Sequence, residues 1–251
     1  MIRGIYTAAA GLATARLRLG VVSNNVANAS TPGYKQDQLP DEVGKSIDLQ
    51  RFAVDSRGRP VGEITLGPEV GVSQLDLAAG PLQETSNPLD LAIAGSGFFA
   101  TRGNDGSTRY TRDGGFLHDA DGTVRARDGS AVLDTNGQPI QLPNGADVSV
   151  SADGTILANG NTVAKLQVVD FAPGQQLNKI GNGMFVAPNG ALPQPANGAQ
   201  LYQGYLEGSN VDMTESMVAT MNLVRAYEAN QKLLQMQDET LKSTVNEVGK
   251  A

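Results

Sequence analysis

Residues 213–248 read MTESMVATMNLVRAYEANQKLLQMQDETLKSTVNEV, and no Gly or Pro occurs between positions 210 and 248. Within this stretch, a set of mostly apolar positions recurs at alternating steps of four and three, which is the a/d spacing of a heptad repeat. These positions are Met213, Met217, Thr220, Val224, Tyr227, Gln231, Leu234, Asp238, Leu241, Val245 and Val248. The spacing predicts a single helix on the order of 55 Å long, at 1.5 Å per residue.

A helix of that length needs a partner, because one amphipathic helix cannot bury its own apolar stripe. The opposite end of the chain offers one over residues 2–28. Its apolar positions also step by three and four, at Ile5, Ala8, Leu12, Ala15, Leu19, Val22 and Val26. The alanines would allow two helices to approach closely. We therefore predict that the first and last helices pair, with the rest of the chain leaving one and returning to the other.

Composition and charge exclude several classes of protein. The 251 residues are 40% hydrophobic but only 5% aromatic, so the predicted core is aliphatic. A net charge of −7 argues against nucleic-acid binding and against docking on an anionic membrane. The absence of cysteine excludes disulfides, thiolate metal sites and thiol catalysis. No apolar run approaches the roughly 20 residues of a transmembrane helix.

The amino terminus loosely imitates a signal peptide, with Arg3, an apolar stretch over residues 5–12 and small residues at 13–15. The heptad phase nevertheless continues to Val26, which a discarded leader would not need. We expect this segment to be retained as a helix that Ser30-Thr31-Pro32-Gly33 stops. The Asn residues near its end are open to two interpretations, fraying into a turn or hydrogen bonding to neighbouring chains, and the first is favoured.

The middle of the chain has the features of an antiparallel β domain. Residues 35–79 read as an extended connector with short strands around Gly67-Pro68. Turn dipeptides then recur at intervals of about eight residues, typical of short strands joined by tight turns. They are Asp105-Gly106, Asp113-Gly114, Asp121-Gly122, Asp128-Gly129, Asn136-Gly137, Asn144-Gly145, Asp153-Gly154 and Asn159-Gly160. The predicted class is α+β, with a discontinuous helical domain over 1–34 and 207–251 and a β domain over 80–206.

The sequence offers little for catalysis. His118 is the only histidine, and no G-x-S-x-G elbow accompanies it. The segment Asp119-Ala120-Asp121-Gly122 suggests a calcium loop, but Asp128 stands where the EF-hand pattern requires Glu. Turn chemistry explains these Asp-Gly pairs better. We predict no catalytic residue, no cofactor and no metal site.

Three blocks of sequence resemble one family. Residues 23–35, SNNVANASTPGYK, look like the amino-terminal signature of the bacterial flagellar rod and hook proteins. Residues 80–99 and the later Tyr110-Thr111-Arg112-Asp113-Gly114 are similar to its central signature. Gly208-Ser209-Asn210-Val211, followed by residues 225–230, RAYEAN, resembles its carboxy-terminal motif. The blocks stand in the right order and span nearly the whole chain.

The resemblance implies an axial building block, a structural subunit of the flagellar basal-body rod and not an enzyme. In that family the terminal helices pair and pack against neighbouring subunits in a helical tube, with the β domain outside. The implied partners are copies of the chain, other axial proteins of the rod and hook, and the flagellar type III export apparatus. The implied location is the basal body, reached without a cleaved leader. No nucleic acid, small-molecule substrate or membrane span is implied. The resemblance leaves the proximal or distal subtype open.

The interface residues that this resemblance and the seams predict fall at the two ends of the chain. On the amino-terminal side they are Ile5, Leu12, Leu19, Val22, Asn24, Asn25, Val26, Asn28, Thr31, Pro32, Gly33 and Tyr34. On the carboxy-terminal side they are Ser209, Asn210, Val211, Met217, Val224, Arg225, Tyr227, Glu228, Asn230, Leu234, Leu241 and Val245. Gln231 and Asp238 are polar seam positions that either set register or face solvent.

Two rival interpretations make different predictions. A β-rich extracellular binding module on a helical stalk predicts an aromatic platform, but Phe and Tyr are few and scattered. An enzyme predicts a cleft with perturbed acids around His118.

Overall fold

The computed structural model describes residues 2–42, 46–52, 58–65, 69–172, 175, 177–188, 191–196 and 198–248. The chain divides into two compact units. The first comprises Met1–Val26, Asp37–Gln74 and Met213–Ala251, and the second comprises Ala27–Gln36 and Leu75–Asp212. The segment 37–74, predicted as a connector, thus belongs by its contacts to the unit that contains the helices.

Two helices flank the strands, which confirms the predicted α+β class. Helix α1 spans Ile2–Ala27 and α2 spans Met213–Val248. The second helix has the bounds that the heptad pattern predicts, because nothing in residues 213–248 interrupts a helical backbone. No helix in the described part of the chain is long and apolar enough to cross a membrane.

The heptad phase of α1 agrees with its burial, whereas that of α2 agrees only in part, because Met213, Tyr227 and Val245 are exposed and four further positions are displaced by one residue. On α1, Ala8 and Ala15 are buried and the other described seam positions are half-buried. On α2, Thr220, Leu234 and Leu241 are half-buried as predicted, but Met217, Val224, Gln231 and Asp238 are exposed. Their half-buried counterparts are the preceding residues, namely Ser216, Leu223, Asn230 and Gln237. The packed side of α2 is therefore more polar than its apolar periodicity predicts.

The first unit also contains short strands and one long hairpin. The strands are β1 (Asp37–Gln38), β2 (Asp41–Glu42), β3 (Ser46–Phe52), β4 (Gly58–Thr65) and β5 (Glu69–Val70). Strands β3 and β4 pair antiparallel from Ser46↔Thr65 to Phe52↔Gly58. This hairpin lies within the segment predicted as an extended connector with short strands, and its backbone pairing does not depend on an apolar alternation. The predicted break at Gly67-Pro68 lies outside the described residues.

The next strand, β6 (Gln74–Leu75), precedes the strands of the second unit. These are β7 (Leu82–Glu84), β8 (Leu91–Ala94), β9 (Phe98–Arg102), β10 (Thr108–Thr111), β11 (Leu117–His118), β12 (Val124–Arg125), β13 (Ala131–Val132), β14 (Val148–Val150), β15 (Thr155–Ala158), β16 (Asn161–Lys165), β17 (Val168–Asp170), β18 (Asn178–Gly181), β19 (Met184–Val186), β20 (Gln194–Pro195), β21 (Gln200–Gln203) and β22 (Tyr205–Glu207).

All the described strand pairs of the second unit are antiparallel, as predicted. The main sheet runs in the order β11-β12-β13-β9-β10-β19-β18, and β17 joins β9 to β20. Strands β14, β15 and β16 form a separate sheet. Two further pairs join the end of the β region to its beginning, β21 with β8 and β22 with β7. The core of this unit combines aliphatic side chains such as Leu91, Ile93 and Ile140 with aromatic ones. Phe99 lies against Phe116 at a centroid distance of 5.0 Å, and a second buried cluster contains Phe98, Tyr110 and Phe185, so the core is more aromatic than predicted.

The turn dipeptides behave as predicted, with one exception. Their glycines have positive φ, from 72° at Gly145 to 87° at Gly154, but Gly114 is not among them. A Cβ on Gly114 would collide with the carbonyl oxygen of Leu91. Gly114 is therefore required by the close approach of two backbones and not by a tight turn.

Candidate functional site

The three motif regions converge on a buried group of charges in the second unit. Lys35 closes the amino-terminal motif, Arg112 lies in the central motif, and Glu207 directly precedes the carboxy-terminal motif. Their side chains are 0%, 4% and 1% exposed. We call these three residues the motif cluster. Charged side chains are rarely buried unless they are paired, so this group marks a position that the fold specifies closely.

The Glu207 carboxylate is the centre of the motif cluster. Its Oε1 accepts hydrogen bonds from Lys35 Nζ at 2.6 Å and from the Gly80 amide at 2.9 Å. Its Oε2 accepts one from Arg112 Nη1 at 3.0 Å. The Glu207 main-chain carbonyl accepts another from the Gly33 amide at 2.7 Å. Through its side chain, Glu207 thus joins residues that are up to 172 positions apart in sequence.

Main-chain carbonyls accept further hydrogen bonds from the two cations, although Arg112 Nε is buried without a hydrogen-bond partner among the described residues. Lys35 Nζ also donates to Ala78 O at 2.7 Å, and Arg112 Nη2 donates to Gly95 O at 2.7 Å. The Arg112 guanidinium lies 5.4 Å from the centroid of the Phe98 ring, a cation–π distance. Burial lowers the pKa of both Lys35 and Arg112, because removal from water disfavours the charged form, while Glu207 opposes that effect.

Asn210 adds a second, uncharged link beside the motif cluster. Its Oδ1 accepts from the Gln36 amide at 2.8 Å, and its Nδ2 donates to Asp76 O at 2.9 Å. Gln36 Nε2 in turn donates to the Asp76 carboxylate at 2.9 Å, and this bond is the main cause that lowers the pKa of Asp76. Asn210 of the carboxy-terminal motif therefore binds main-chain groups of Gln36 and Asp76, and such groups are present whatever residue occupies those positions.

Gly33 lies where no other residue fits. Its φ is +66°, and a Cβ there would collide with the amide nitrogen of Asp113. Burial raises the pKa of the Asp113 carboxyl, which accepts a hydrogen bond from the Gly115 amide at 2.9 Å. Next to Gly33, the Lys179 ammonium lies 4.2 Å from the centroid of the Tyr34 ring. The backbone of the central motif therefore lies directly against the backbone of the amino-terminal motif at Gly33.

In the first unit, Asn25 forms a double hydrogen bond with the main chain of Asp37. Its Nδ2 donates to Asp37 O at 2.8 Å, and its Oδ1 accepts from Asp37 N at 3.0 Å. Asn25 is 5% exposed and lies within α1. The favoured interpretation, that the amides mark a frayed helix end, is therefore wrong for Asn25. Its amide binds its own chain, and a role at a subunit interface would be indirect.

The other amino-terminal interface candidates differ in exposure. Gly33 and Tyr34 are buried within the second unit, whereas Asn24 is exposed. The half-buried ones are Ile5, Leu12, Leu19, Val22, Val26, Asn28, Thr31 and Pro32. The buried residues can affect a subunit interface only by holding other residues in place. The half-buried and exposed residues can contact another subunit directly.

The carboxy-terminal candidates divide in the same way. Ser209 is buried, and Asn210, Val211, Asn230, Leu234 and Leu241 are half-buried. The exposed ones are Met217, Val224, Arg225, Tyr227, Glu228 and Val245. Met213 and Met221 are exposed as well, so one side of the first turns of α2 is a continuous apolar surface. We call Met213, Met217, Met221 and Val224 the methionine face.

Two half-buried polar residues of α2 lie one position before the predicted polar seam residues Gln231 and Asp238. Asp238 is exposed and pairs with Lys242 at 2.9 Å, and Gln231 is exposed. Asn230 and Gln237 instead lie over glycines of α1. A Cβ on Gly11 would be 3.0 Å from Asn230 Nδ2, and one on Gly4 would collide with Gln237 Nε2. Amide side chains of α2 thus occupy the space that two glycines leave open.

No arrangement of the described residues suggests catalysis. His118 Nε2 lies 3.1 Å from Leu142 O, in a partly buried position, and no nucleophile is recorded at hydrogen-bond distance from its ring in the described residues. Within the described ranges, no group of three or more His, Asp or Glu side chains is placed to hold a metal ion. His118 is a packing residue that anchors the β11 strand.

Comparison with known proteins decides the family. Family models described as "Flagella basal body rod protein", "Flagellar hook protein FlgE/F/G D1 domain" and "Flagellar basal body rod FlgEFG protein C-terminal" match residues 5–35, 92–158 and 202–247. The chain is 33% identical to the flagellar basal-body rod protein FlgG of Bacillus subtilis, over 98% of this chain and 99% of the relative. The chain belongs to the flagellar basal-body rod protein family.

Two further relatives agree. The rod protein FlgF of Caulobacter vibrioides is 31% identical over 100% of this chain and 99% of its own length, and FlgG of Agrobacterium fabrum is 32% identical over 95% and 96%. This rod protein is a structural subunit of the flagellar basal body and not an enzyme. The interpretation as a rod protein is thereby confirmed over the stalked module and the enzyme.

Sequence reasoning did not single out Arg112 and Glu207 as site residues. Arg112 is one member of the central motif, and Glu207 lies one position before the carboxy-terminal motif begins. A charged residue at a strand end usually faces water, so its local pattern carries no sign of burial. The one signal for these two residues in the sequence is their position within or directly beside the three motifs.

Proposed function

We propose that this rod subunit polymerises through its terminal helices, with α1 and α2 paired in each subunit and the methionine face of α2 bound by a second copy. The pairing is supported by two contacts. Gly4 meets Gln237 and Gly11 meets Asn230, so a step of seven residues forward on α1 corresponds to seven backward on α2. Such a correspondence is that of an antiparallel pair with a heptad register.

The observation that carries the proposal is the exposure of the methionine face. Met213, Met217, Met221 and Val224 are 42%, 53%, 55% and 37% exposed. Contiguous apolar surface of this kind on a soluble chain marks a site of association. Methionine side chains are flexible enough to fill an irregular surface supplied by a neighbour.

Charge supports a second copy as the partner. Helix α1 carries Arg3, Arg16 and Arg18 and no acidic residue, whereas α2 carries five acidic and three basic residues. The outer side of α1 also exposes Tyr6 and Leu17, which are 70% and 59% exposed. Of these arginines, Arg16 is exposed. One copy therefore presents exposed basic and apolar side chains on α1, and another presents the flexible apolar face of the more acidic α2. A contact between two different faces propagates into a filament and does not close a dimer.

Membership of the family supports further partners. We propose that the subunit also contacts the other axial proteins of the rod and hook, and that it is exported through the flagellar type III apparatus without a cleaved leader. In this proposal α1 remains part of the exported subunit, because α2 packs against the seam of α1.

A matched pair of double variants tests the proposal. Met217→Ser with Met221→Ser removes apolar surface from the methionine face, and Leu233→Ser with Met236→Ser removes comparable exposed apolar surface from another side of α2. Each pair is expressed in a host strain that lacks the native gene, and motility and isolated basal bodies are examined. We expect the first pair to abolish rod formation, with unchanged helical content of the purified subunit, and the second to retain it. Normal rods from the first pair would overturn the proposal.

A further inference from the structure

The last residues before α2 complete the second unit. Strand β21 pairs with β8 from Gln200↔Ala94 to Gln203↔Leu91, and β22 pairs with β7 from Tyr205↔Glu84 to Glu207↔Leu82. Leu201 belongs to the main hydrophobic core and is 5% exposed. The strands β7 and β8, which come first in the β region, thus depend for their pairing on strands that come last.

The same segment delivers the only carboxylate recorded in hydrogen-bond contact with the motif cluster in the described part of the chain. Lys35 and Arg112 are two buried cations, and Glu207 is the anion between them. Carbonyl groups of Ala78 and Gly95 accept hydrogen bonds from these cations, but they carry no net charge. Without Glu207, the two buried cations would keep only the smaller electrostatic contributions of Asp76 to Lys35 and of Asp170 to Arg112. Removal of the main partner from a buried ionic group is strongly destabilising.

We infer that residues 200–210 act as a latch, in which the Glu207 carboxylate must dock before Lys35 and Arg112 can be buried and the second unit can close. The latch acts through charge and strand pairing together. The Gly33 amide bonds the Glu207 carbonyl, and the Gly208 amide bonds Pro81 O at 2.8 Å, so the segment fixes the amino-terminal motif and the start of the β region at once.

The latch has a consequence for the order of events in one chain. A chain that becomes available from its amino terminus holds Lys35 and Arg112 early but lacks their main counter-charge until residue 207 arrives, because Asp76 and Asp170 contribute less than Glu207 does. Its second unit stays open until nearly the whole chain is present. A role for this delay in keeping the subunit unfolded during export depends on the export that we propose above. The latch itself is a property of the isolated subunit and does not depend on export.

Native-state hydrogen exchange on the purified full-length subunit tests the latch. In Glu207→Gln we expect the amides of β8, β21 and β22 and of residues 33–36 to exchange faster together, by about 100-fold or more, because this region opens as one unit. The β15–β16 hairpin, which has no contact with the motif cluster among the described hydrogen bonds, is expected to change much less. Glu84→Gln is the matched control, since it removes the same charge from an exposed position on β7.

A second comparison keeps the test decisive if Glu207→Gln does not fold. Adding Lys35→Met removes one of the two uncompensated cations, so the double variant is expected to exchange more slowly, or to be recovered in higher soluble yield, than Glu207→Gln alone. Lys35→Met by itself leaves Arg112 and Glu207 balanced and is expected to be milder than Glu207→Gln. Uniform acceleration across β15–β16, exchange in Glu207→Gln equal to that in Glu84→Gln, or no rescue by Lys35→Met would each overturn the latch. None of these measurements requires assembly, so they stand apart from the test of the methionine face.

Discussion

Asn25 holds the main chain of Asp37 as a neighbouring β-strand would, donating to its carbonyl at 2.8 Å and accepting from its amide at 3.0 Å. An amide side chain provides one donor and one acceptor at the spacing that a peptide group requires. The segment that follows α1 is thereby returned to the side of the helix at a fixed position.

Replacing Asn25 with alanine should destabilise the first unit. The two Asp37 peptide groups would lose their partners at a buried position, at a cost of about 1–3 kcal/mol. Asn222→Ala is the control, because Asn222 is exposed in the interior of α2 and gains the same helix propensity. Urea unfolding followed by circular dichroism at 222 nm measures both. Equal midpoints for the two variants would contradict the structural role of Asn25.

Gly33→Ala should be far more damaging than a comparable change at Gly145. Both glycines have positive φ, +66° and +72°, so an added Cβ costs each about 1–2 kcal/mol in conformation. Only at Gly33 does the Cβ also meet backbone of the central motif, which adds about 1–3 kcal/mol. Around Gly145 there is open space. Thermal unfolding of the two variants measures the difference, and a Gly33→Ala midpoint at or above that of Gly145→Ala would argue against the close approach.

The contact between Gly11 and Asn230 should appear as an interaction energy. Gly20→Ala, in open space on the same helix, is expected to stabilise α1 by about 0.5–1 kcal/mol through helix propensity. Gly11→Ala is expected to gain less, because its Cβ would press on Asn230 Nδ2. In an Asn230→Ala background the two alanine variants should become equal. A double-mutant cycle from urea unfolding measures this coupling, and its absence would contradict the contact between Gly11 and Asn230 that supports the antiparallel pairing.

The contribution of Asp113 to the stability of the protein should fall as the pH rises above about 4. Burial raises the pKa of Asp113 above its usual 3.8, so the folded state keeps a proton that the unfolded state has already lost. Unfolding then releases a proton, and rising pH favours unfolding between pH 3.8 and the folded-state pKa. Asp113→Asn can still accept from the Gly115 amide and removes the titration. The unfolding midpoint of this variant, measured from pH 3 to 7, should therefore rise relative to that of the native protein as the pH rises. A constant difference would contradict this origin.

Several features of the molecule followed from local sequence alone. The bounds of α2 were predictable because 36 residues without Gly or Pro, carrying a heptad repeat, have no better local structure. The hairpin turns were predictable because Asp-Gly and Asn-Gly pairs tolerate positive φ, which a turn of this kind requires. The family followed from three motifs whose order could be recognised without knowing where they meet.

Other features depended on the fold. The periodicity of α2 located an apolar stripe, but the side that packs is the neighbouring one, with Asn230 and Gln237 over glycines. Local hydrophobicity cannot show this, since small residues on a partner helix decide which side can approach. The long pairing of β3 with β4 within the predicted connector is likewise visible only in the structure, because backbone pairing needs no apolar alternation.

The sequence by itself determined the lengths of the helices, the antiparallel β character and membership of the rod family, because each depends on residues close together in the chain. Only the tertiary structure decided that Lys35, Arg112 and Glu207 form one buried group, and that Asn25 serves its own chain. Those relationships join positions up to 172 residues apart. Their free energy comes from the shared exclusion of water around opposite charges and peptide groups, which no local pattern of residues records.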